Sequence, residues 1–211
     1  MTELILALDV TRGDEARSIA RACAPFLDAI KIGYPLVLSS GREAVAEIAG
    51  LGLPLIADFK VADIPNTNRL ITEQAFSMGF SAVIAHAFTG KDAALACINT
   101  AHECGGRCFV VVEMSHPGGA EFFHGGVAER LARIAVECNA DGIIAPATRP
   151  DRIAVMRNIV KQLPIYSPGV GVQGGDLDQV ARLVDGIIVG RSIYQASDPA
   201  IAAREYSRIR R

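Results

Sequence analysis

The sequence predicts a closed barrel of eight parallel strands, each followed by a helix, in one domain spanning residues 1–211: an α/β fold of the (β/α)8 TIM barrel class. Three observations predict it. Short apolar runs alternate with longer amphipathic stretches along the whole chain, which is the pattern of βα units around a parallel sheet. Eight such units in 211 residues leave about 26 residues each, enough for a short strand, a helix of three turns and tight loops. An apolar run entered by Asp or Ser and left by Gly, His or Pro also recurs, as DAIKIG, SAVIAH, DGIIAP and DGIIVG. A doubly wound open sheet shares the alternation, because pattern alone does not say whether a sheet closes.

The strands are expected at residues 3–9, 28–33, 54–60, 81–86, 107–115, 141–146, 164–168 and 185–190. Helical spacing falls between them, most clearly over 14–26, 42–49, 67–78 and 92–104, with a last helix after the eighth strand. The four repeated runs are the even-numbered strands. The odd-numbered strands end instead in reactive groups: Asp9, then Asp58 and Lys60, then Ser115, then the Pro168-Gly169 turn. Active sites of such barrels lie at the carboxyl ends of the strands, so polar residues gathered there are functional candidates.

Composition narrows the classes. A chain this long buries roughly 70% of its unfolded surface, so a full core is available. Half the residues are hydrophobic and 21% charged, far from a disordered composition. The 21 basic and 23 acidic residues leave a net charge of -2, without the positive field that nucleic-acid binding requires. Five cysteines, Cys23, Cys97, Cys104, Cys108 and Cys138, have no Cys-x-x-Cys spacing and read as reduced, mostly buried thiols. The first apolar run covers only residues 4–8, between Glu3 and Asp9, and is not expected to be a signal peptide. No apolar stretch approaches the length of a membrane span. The expectation is a soluble cytoplasmic protein with no nucleic-acid or membrane partner.

The most informative stretch is ADFKVADIP, residues 57–65. Strand side chains alternate faces, so Asp58 and Lys60 are expected together on the face lining the barrel, with Ala57 and Phe59 on the other. A buried ion costs several kcal/mol unless it is paired, so two of them where Val or Leu would serve imply a purpose or a strand-end ion pair. Lys31, on the neighbouring strand, and Asp63 extend the set to Lys31, Asp58, Lys60 and Asp63. Alternating signs keep every member charged. Lys60 is then a cationic acid, whereas an imine-forming lysine needs an apolar or like-charged setting.

Two later segments read as a phosphate site. PGVGVQGGD, residues 168–176, follows the seventh strand, and Gly190-Arg191-Ser192 follows the eighth. Loops after strands 7 and 8 of a barrel commonly hold a phosphate on backbone N–H groups, and Arg191 adds a forked cation. Gly169, Gly171 and Gly174 also match a dinucleotide fingerprint, but late in the chain and without its acidic partner. Glu113, Ser115, His116 and His124 could form a metal or triad set, although Ser115 and His116, being adjacent, would face opposite ways on a strand. His86 and His102 read as packed or solvated residues.

Taken together, residues 31–33 (KIG), 57–65, 113–118 (EMSHPG), 167–171 (SPGVG) and 190–194 (GRSIY) resemble the orotidine 5'-phosphate decarboxylases, especially their compact archaeal form. The likeness runs in order over residues 6–199. It implies a homodimeric barrel that converts orotidine 5'-monophosphate to uridine 5'-monophosphate and CO₂ with no metal or organic cofactor. It further implies a charge network of Lys31, Asp58 and Lys60 with Asp63 of the partner subunit. Asp9 and Lys31 would bind ribose hydroxyls, and Thr67 would join Asp63 in reaching across the dimer. Ser115 would meet the pyrimidine edge, Gln173 would bridge base and phosphate, and Pro168, Gly190 and Arg191 would lie around the phosphate. Metal-dependent relatives acting on sugar phosphates, such as 3-keto-L-gulonate 6-phosphate decarboxylase, are similar at the DxKxxD box but carry a metal-binding glutamate where this chain has Lys31. A silent nucleotide-binding barrel, the remaining alternative, has no need of four intact charges.

Overall fold

The computed structural model describes residues 2–170 and 177–209. Eight parallel strands close in sequence order: β1 (Glu3–Ala7), β2 (Ala29–Gly33), β3 (Leu55–Val61), β4 (Ala82–His86), β5 (Arg107–Val111), β6 (Gly142–Ile144), β7 (Ile165–Pro168) and β8 (Gly186–Val189). β8 pairs with β1, Glu3 lying against Gly186, and this last ladder excludes the open sheet. Around the barrel run α1 (Gly13–Cys23), α2 (Tyr34–Ala49), α3 (Pro65–Ser77), α4 (Lys91–Glu103), α5 (Gly119–Phe123), α6 (Val127–Glu137), α7 (Pro150–Val160), α8 (Leu177–Ala181), α9 (Arg191–Tyr194) and α10 (Pro199–Tyr206).

Two apolar layers divide the core. Ile5, Ala29, Ile56, Ile84, Phe109 and Tyr166 fill the lumen, while the alternate residues, such as Leu4, Ile30, Ala57, Val83 and Val110, meet the helices. The lumen is therefore packed, and polar residues of inward parity above it become the floor of the mouth.

The recurring Asp or Ser has a structural cause. Asp28, Asp141 and Asp185 each enter an even strand, and each carboxylate accepts the backbone N–H of a residue on the preceding odd strand, Leu4, Cys108 and Ile165, at 2.8 Å. The same three residues return their own N–H to the carbonyl of that partner. Ser81 differs in donating both its hydroxyl and its N–H to the Leu55 carbonyl. One residue thus staples each odd–even pair at the amino end of the barrel.

Expected bounds shift at several elements, and three departures bear on the site. The helix expected at 42–49 begins earlier, at Tyr34, and is broken at Gly41, whose φ of 70° turns the chain where an L side chain would be strained. The strand expected over 107–115 ends at Val111, so Glu113, Ser115 and His116 lie on a loop and strand parity does not govern them. β3 also departs from simple alternation. Against β4 its register slips between Ala57 and Val61, and Lys60 takes a left-handed backbone with φ 45°.

Candidate active site

The mouth of the barrel holds a cavity of about 240 Å³ lined by residues from all eight strands or their carboxyl ends. Asp9, Lys31, Asp58, Lys60, Ser115, Pro168, Gly190 and Arg191, all expected from the sequence, line it together. Register explains why the charged members converge. Lys31 pairs with Ala7 on one side and Ile56 on the other, both lumen residues, and Asp58 pairs with Gly33. Lys31 is therefore level with the uppermost residues of the apolar plug, and Asp58 stands one inward position beyond Ile56 on β3.

Asp58 is the centre of the charge set. Its Oδ2 accepts from Lys31 Nζ in a short contact, and its Oδ1 accepts from Lys60 Nζ at 2.6 Å. Lys31 Nζ also lies 3.8 Å from Asp9 Oδ1. The Lys31 and Asp58 side chains are 7% and 11% exposed, against 38% for Lys60, so the Lys60 ammonium is the most accessible of the three charges that line the cavity. Burial alone pushes the Asp58 carboxyl up, but Lys31 and Lys60 outweigh it and hold the pKa below the usual carboxylate value. Two ammoniums, Lys31 and Lys60, and two carboxylates, Asp58 and Asp9, thus alternate at the floor. The backbone slip at Lys60 belongs to this arrangement. Phe59 is pinned on the outer face, stacked at 4.9 Å on Tyr34 and edge-on to Phe80 at 5.5 Å, and beyond it Lys60 turns back toward Asp58.

Asp63 and Thr67 do not line the cavity of their own chain. Asp63 is exposed, its Oδ1 accepting the N–H of Ile64, and Thr67 lies on the first turns of α3. Gln173 lies outside the described residues, as do Gly171 and Gly174.

The other expected candidates resolve differently. Glu113 is buried and committed to two guanidiniums, with Arg149 Nη1 at 3.0 Å from Oε1 and Arg152 Nε at 2.8 Å from Oε2. His124 Nε2 is 3.3 Å from the same Oε1. This ion-pair network takes up the carboxylate of the proposed metal or triad set. His86 closes β4, is 6% exposed and packs on Phe88 and Phe123. Burial, aided by the Lys60 charge, pulls its pKa down to about 4, so the imidazole is neutral near pH 7. Sequence reading missed the apolar wall of the cavity, including Ile84, Val111, Ile144 and Ile188, and the lining Tyr194. Strand parity was the signal for the first four. The two arginines on Glu113 left none, because pairing between the β5 and β6 loops is a tertiary fact.

Fold and site together define a (β/α)8 barrel of the enzyme type, with a cluster of fixed charges gathered at the carboxyl ends of its strands. Residues 2–206 match the family model described as "Orotidine 5'-phosphate decarboxylase / HUMPS family". The chain is 54% identical over 206 residues to orotidine 5'-phosphate decarboxylase of Methanosarcina mazei, covering 97% of this chain and 93% of that one. It is 45% identical to the Thermococcus kodakarensis protein of the same name, over 96% of this chain and 94% of the other. A crystal structure of orotidine 5'-monophosphate decarboxylase from Methanocaldococcus jannaschii, complexed with inhibitor BMP, superposes with a TM-score of 0.95 at 40% identity, covering 99% and 98% of the two chains. This chain belongs to the orotidine 5'-phosphate decarboxylase / HUMPS family.

Proposed function

We propose that the chain, acting over residues 1–211 as one catalytic domain, converts orotidine 5'-monophosphate to uridine 5'-monophosphate and CO₂ in pyrimidine biosynthesis, without metal or organic cofactor. One observation carries the reading: a single carboxylate, Asp58, holds two ammoniums, Lys31 and Lys60, at the floor of the mouth, and Lys60 is the most exposed of the three where they line the cavity.

Loss of CO₂ from C6 leaves an electron pair in the plane of the pyrimidine ring, where the π system cannot take it. Stabilisation has to be electrostatic and fixed in advance. Lys60 supplies it. As the C6–carboxyl bond breaks, the pair stays on C6 and faces the ammonium, then takes its proton to form the C6–H bond, and solvent returns a proton to the amine. Asp58 orients Lys60 and faces the departing carboxylate. Like charges 4 Å apart repel by about 4 kcal/mol at an effective dielectric of about 20, against the roughly 8 to 23 kcal/mol an enzyme removes from a barrier. Binding energy from the distant phosphate, together with carbanion stabilisation, therefore does most of the work.

The remaining roles are those the family likeness implies, supported for all but Gln173 and the partner's residues by their place in the cavity lining. Asp9 and Lys31 bind ribose hydroxyls, Ser115 meets the pyrimidine edge, and Pro168, Gly190 and Arg191 hold the phosphate at the β7 and β8 ends, with Gln173 bridging base and phosphate. Asp63 and Thr67 of the partner subunit complete the ribose side in a homodimer, a role supported by their position outside their own cavity. The cysteines Cys23, Cys97, Cys104, Cys108 and Cys138 are all unpaired, which supports a cytoplasmic setting. No helix of the described residues is long and apolar enough to cross a membrane.

Purified protein mixed with orotidine 5'-monophosphate in buffer containing EDTA tests the reading. Loss of the orotate chromophore with formation of uridine 5'-monophosphate is expected. An unchanged spectrum in EDTA, with magnesium-dependent activity on a sugar phosphate, would overturn it.

A further inference from the structure

Ser115 lies on the loop between β5 and α5, where no strand ladder fixes its hydroxyl. A side chain from the neighbouring β6–α7 loop grips that segment. Arg149 Nη1 donates to the Met114 carbonyl at 2.7 Å and to Glu113 Oε1 at 3.0 Å, and Nη2 donates to the His116 carbonyl at 3.4 Å. The fork therefore holds the backbone on both sides of Ser115.

The grip is anchored from behind. Glu113 is 1% exposed, and its second oxygen accepts from Arg152 Nε at 2.8 Å. Arg152 Nη1 continues to Glu129 Oε1 on α6 at 3.0 Å. Two carboxylates and two guanidiniums balance, as a buried network requires. The chain then folds back onto the gripped carbonyls. The N–H of Gly119 donates to the His116 carbonyl at 3.0 Å, and a Cβ at Gly119 would stand 2.7 Å from the Met114 oxygen, too close for any side chain. A planar fork with several fixed donors suits this task, and an ammonium does not reproduce it.

We propose that Arg149 is a positioning residue for base recognition: anchored on Glu113, it fixes the Met114–His116 backbone so that the Ser115 hydroxyl is presented to the pyrimidine edge. The proposal rests on the role given to Ser115 above. It extends the site to a second ring of residues that never touch the nucleotide, and it makes base specificity depend on the contact between two loops.

A double-mutant cycle with Arg149→Met and Ser115→Ala, read as kcat/KM for orotidine 5'-monophosphate, tests the coupling. Arg149→Met is expected to lower kcat/KM by about tenfold or more with Ser115 present and by less than about threefold in the Ser115→Ala background. Equal losses in both backgrounds would overturn the proposal. Arg149→Lys, which keeps the cation beside Glu113 and loses the fork, is the second variant, should Arg149→Met fail to fold. It is expected to show the same dependence on Ser115, and equal loss in both backgrounds would again overturn it. Hydrogen exchange in the ligand-free protein gives an arm independent of catalysis. Exchange at Gly119 and Ala120, whose amides donate to the His116 and Pro117 carbonyls, is expected to rise about tenfold in either variant. Unchanged exchange there would refute the grip. Wild-type protein inert toward the nucleotide would refute the proposed function instead, and the exchange arm would still decide the role of Arg149.

Discussion

At the scale of single residues, the site depends on one side chain held in an unfavourable backbone. A lysine at φ 45° stores on the order of 1–3 kcal/mol of strain, and such a position persists only where its surroundings over-determine it. Here the outer stack on Phe59 and the Asp58 ion pair do so. The sequence made the pairing of Asp58 and Lys60 legible through the cost of burying charge, but not the slip that delivers it, since strict alternation predicts the same contact by another backbone path. His86 carries a prediction at this scale. Its pKa of about 4, depressed first by burial and then by Lys60, compares with about 6.5 in the unfolded chain. Between these values the unfolded state binds more protons. The contribution of the neutral imidazole, roughly 2–3 kcal/mol, is complete above pH 6.5 and is lost as pH falls toward 4. Urea unfolding at pH 7 and pH 4.5 should therefore show a smaller drop in stability for His86→Asn than for the wild type. Identical drops would contradict it.

Among the secondary elements, the repeated Asp and Ser are the clearest link from sequence to architecture. The repeat was visible as four similar strings, while its meaning, a side chain capping the first ladder position of the strand before, required the strands side by side. Each Asp satisfies an N–H on a buried residue, so its removal leaves an orphan donor and costs about 1–3 kcal/mol. Asp141→Ala should lower the melting temperature accordingly, because Cys108 N–H loses its acceptor. Ser81→Ala should cost less, since the Leu55 carbonyl keeps the Ser81 N–H. Equal melting temperatures for Asp141→Ala and wild type would refute the staple. The strand count, order and approximate bounds were legible because every unit repeats one period change. The first half of α2 was not, since Pro35 and Gly41 punctuate it like a loop.

For the whole molecule, closure of the barrel brings Asp9, Lys31, Asp58 and Lys60 from three strand ends within one cavity, while Asp63 of the same chain lies outside it. Sequence order already placed the charged and phosphate-binding segments at strand ends. What it could not convey was contact between loops, as in Arg149 with Glu113. The proposed sharing of the site between two copies has a measurable consequence. Lys60→Ala and Asp63→Ala proteins, each of low activity alone, should regain activity when unfolded together and refolded as a mixture. Random pairing makes half the dimers mixed, each with one intact site of two, so about a quarter of wild-type activity is expected. Absence of any gain would place Asp63 outside the partner's site.

The central claim is that the Lys60 ammonium, held by Asp58, stabilises and protonates C6. The most direct measurement compares wild type and Lys60→Ala for turnover of orotidine 5'-monophosphate in EDTA, alongside their affinity for uridine 5'-monophosphate. A loss in turnover of about a thousandfold or more is expected, the scale of a preorganised electrostatic group and a general acid combined, with product affinity still measurable. A Lys60→Ala protein retaining a tenth of wild-type turnover would contradict it.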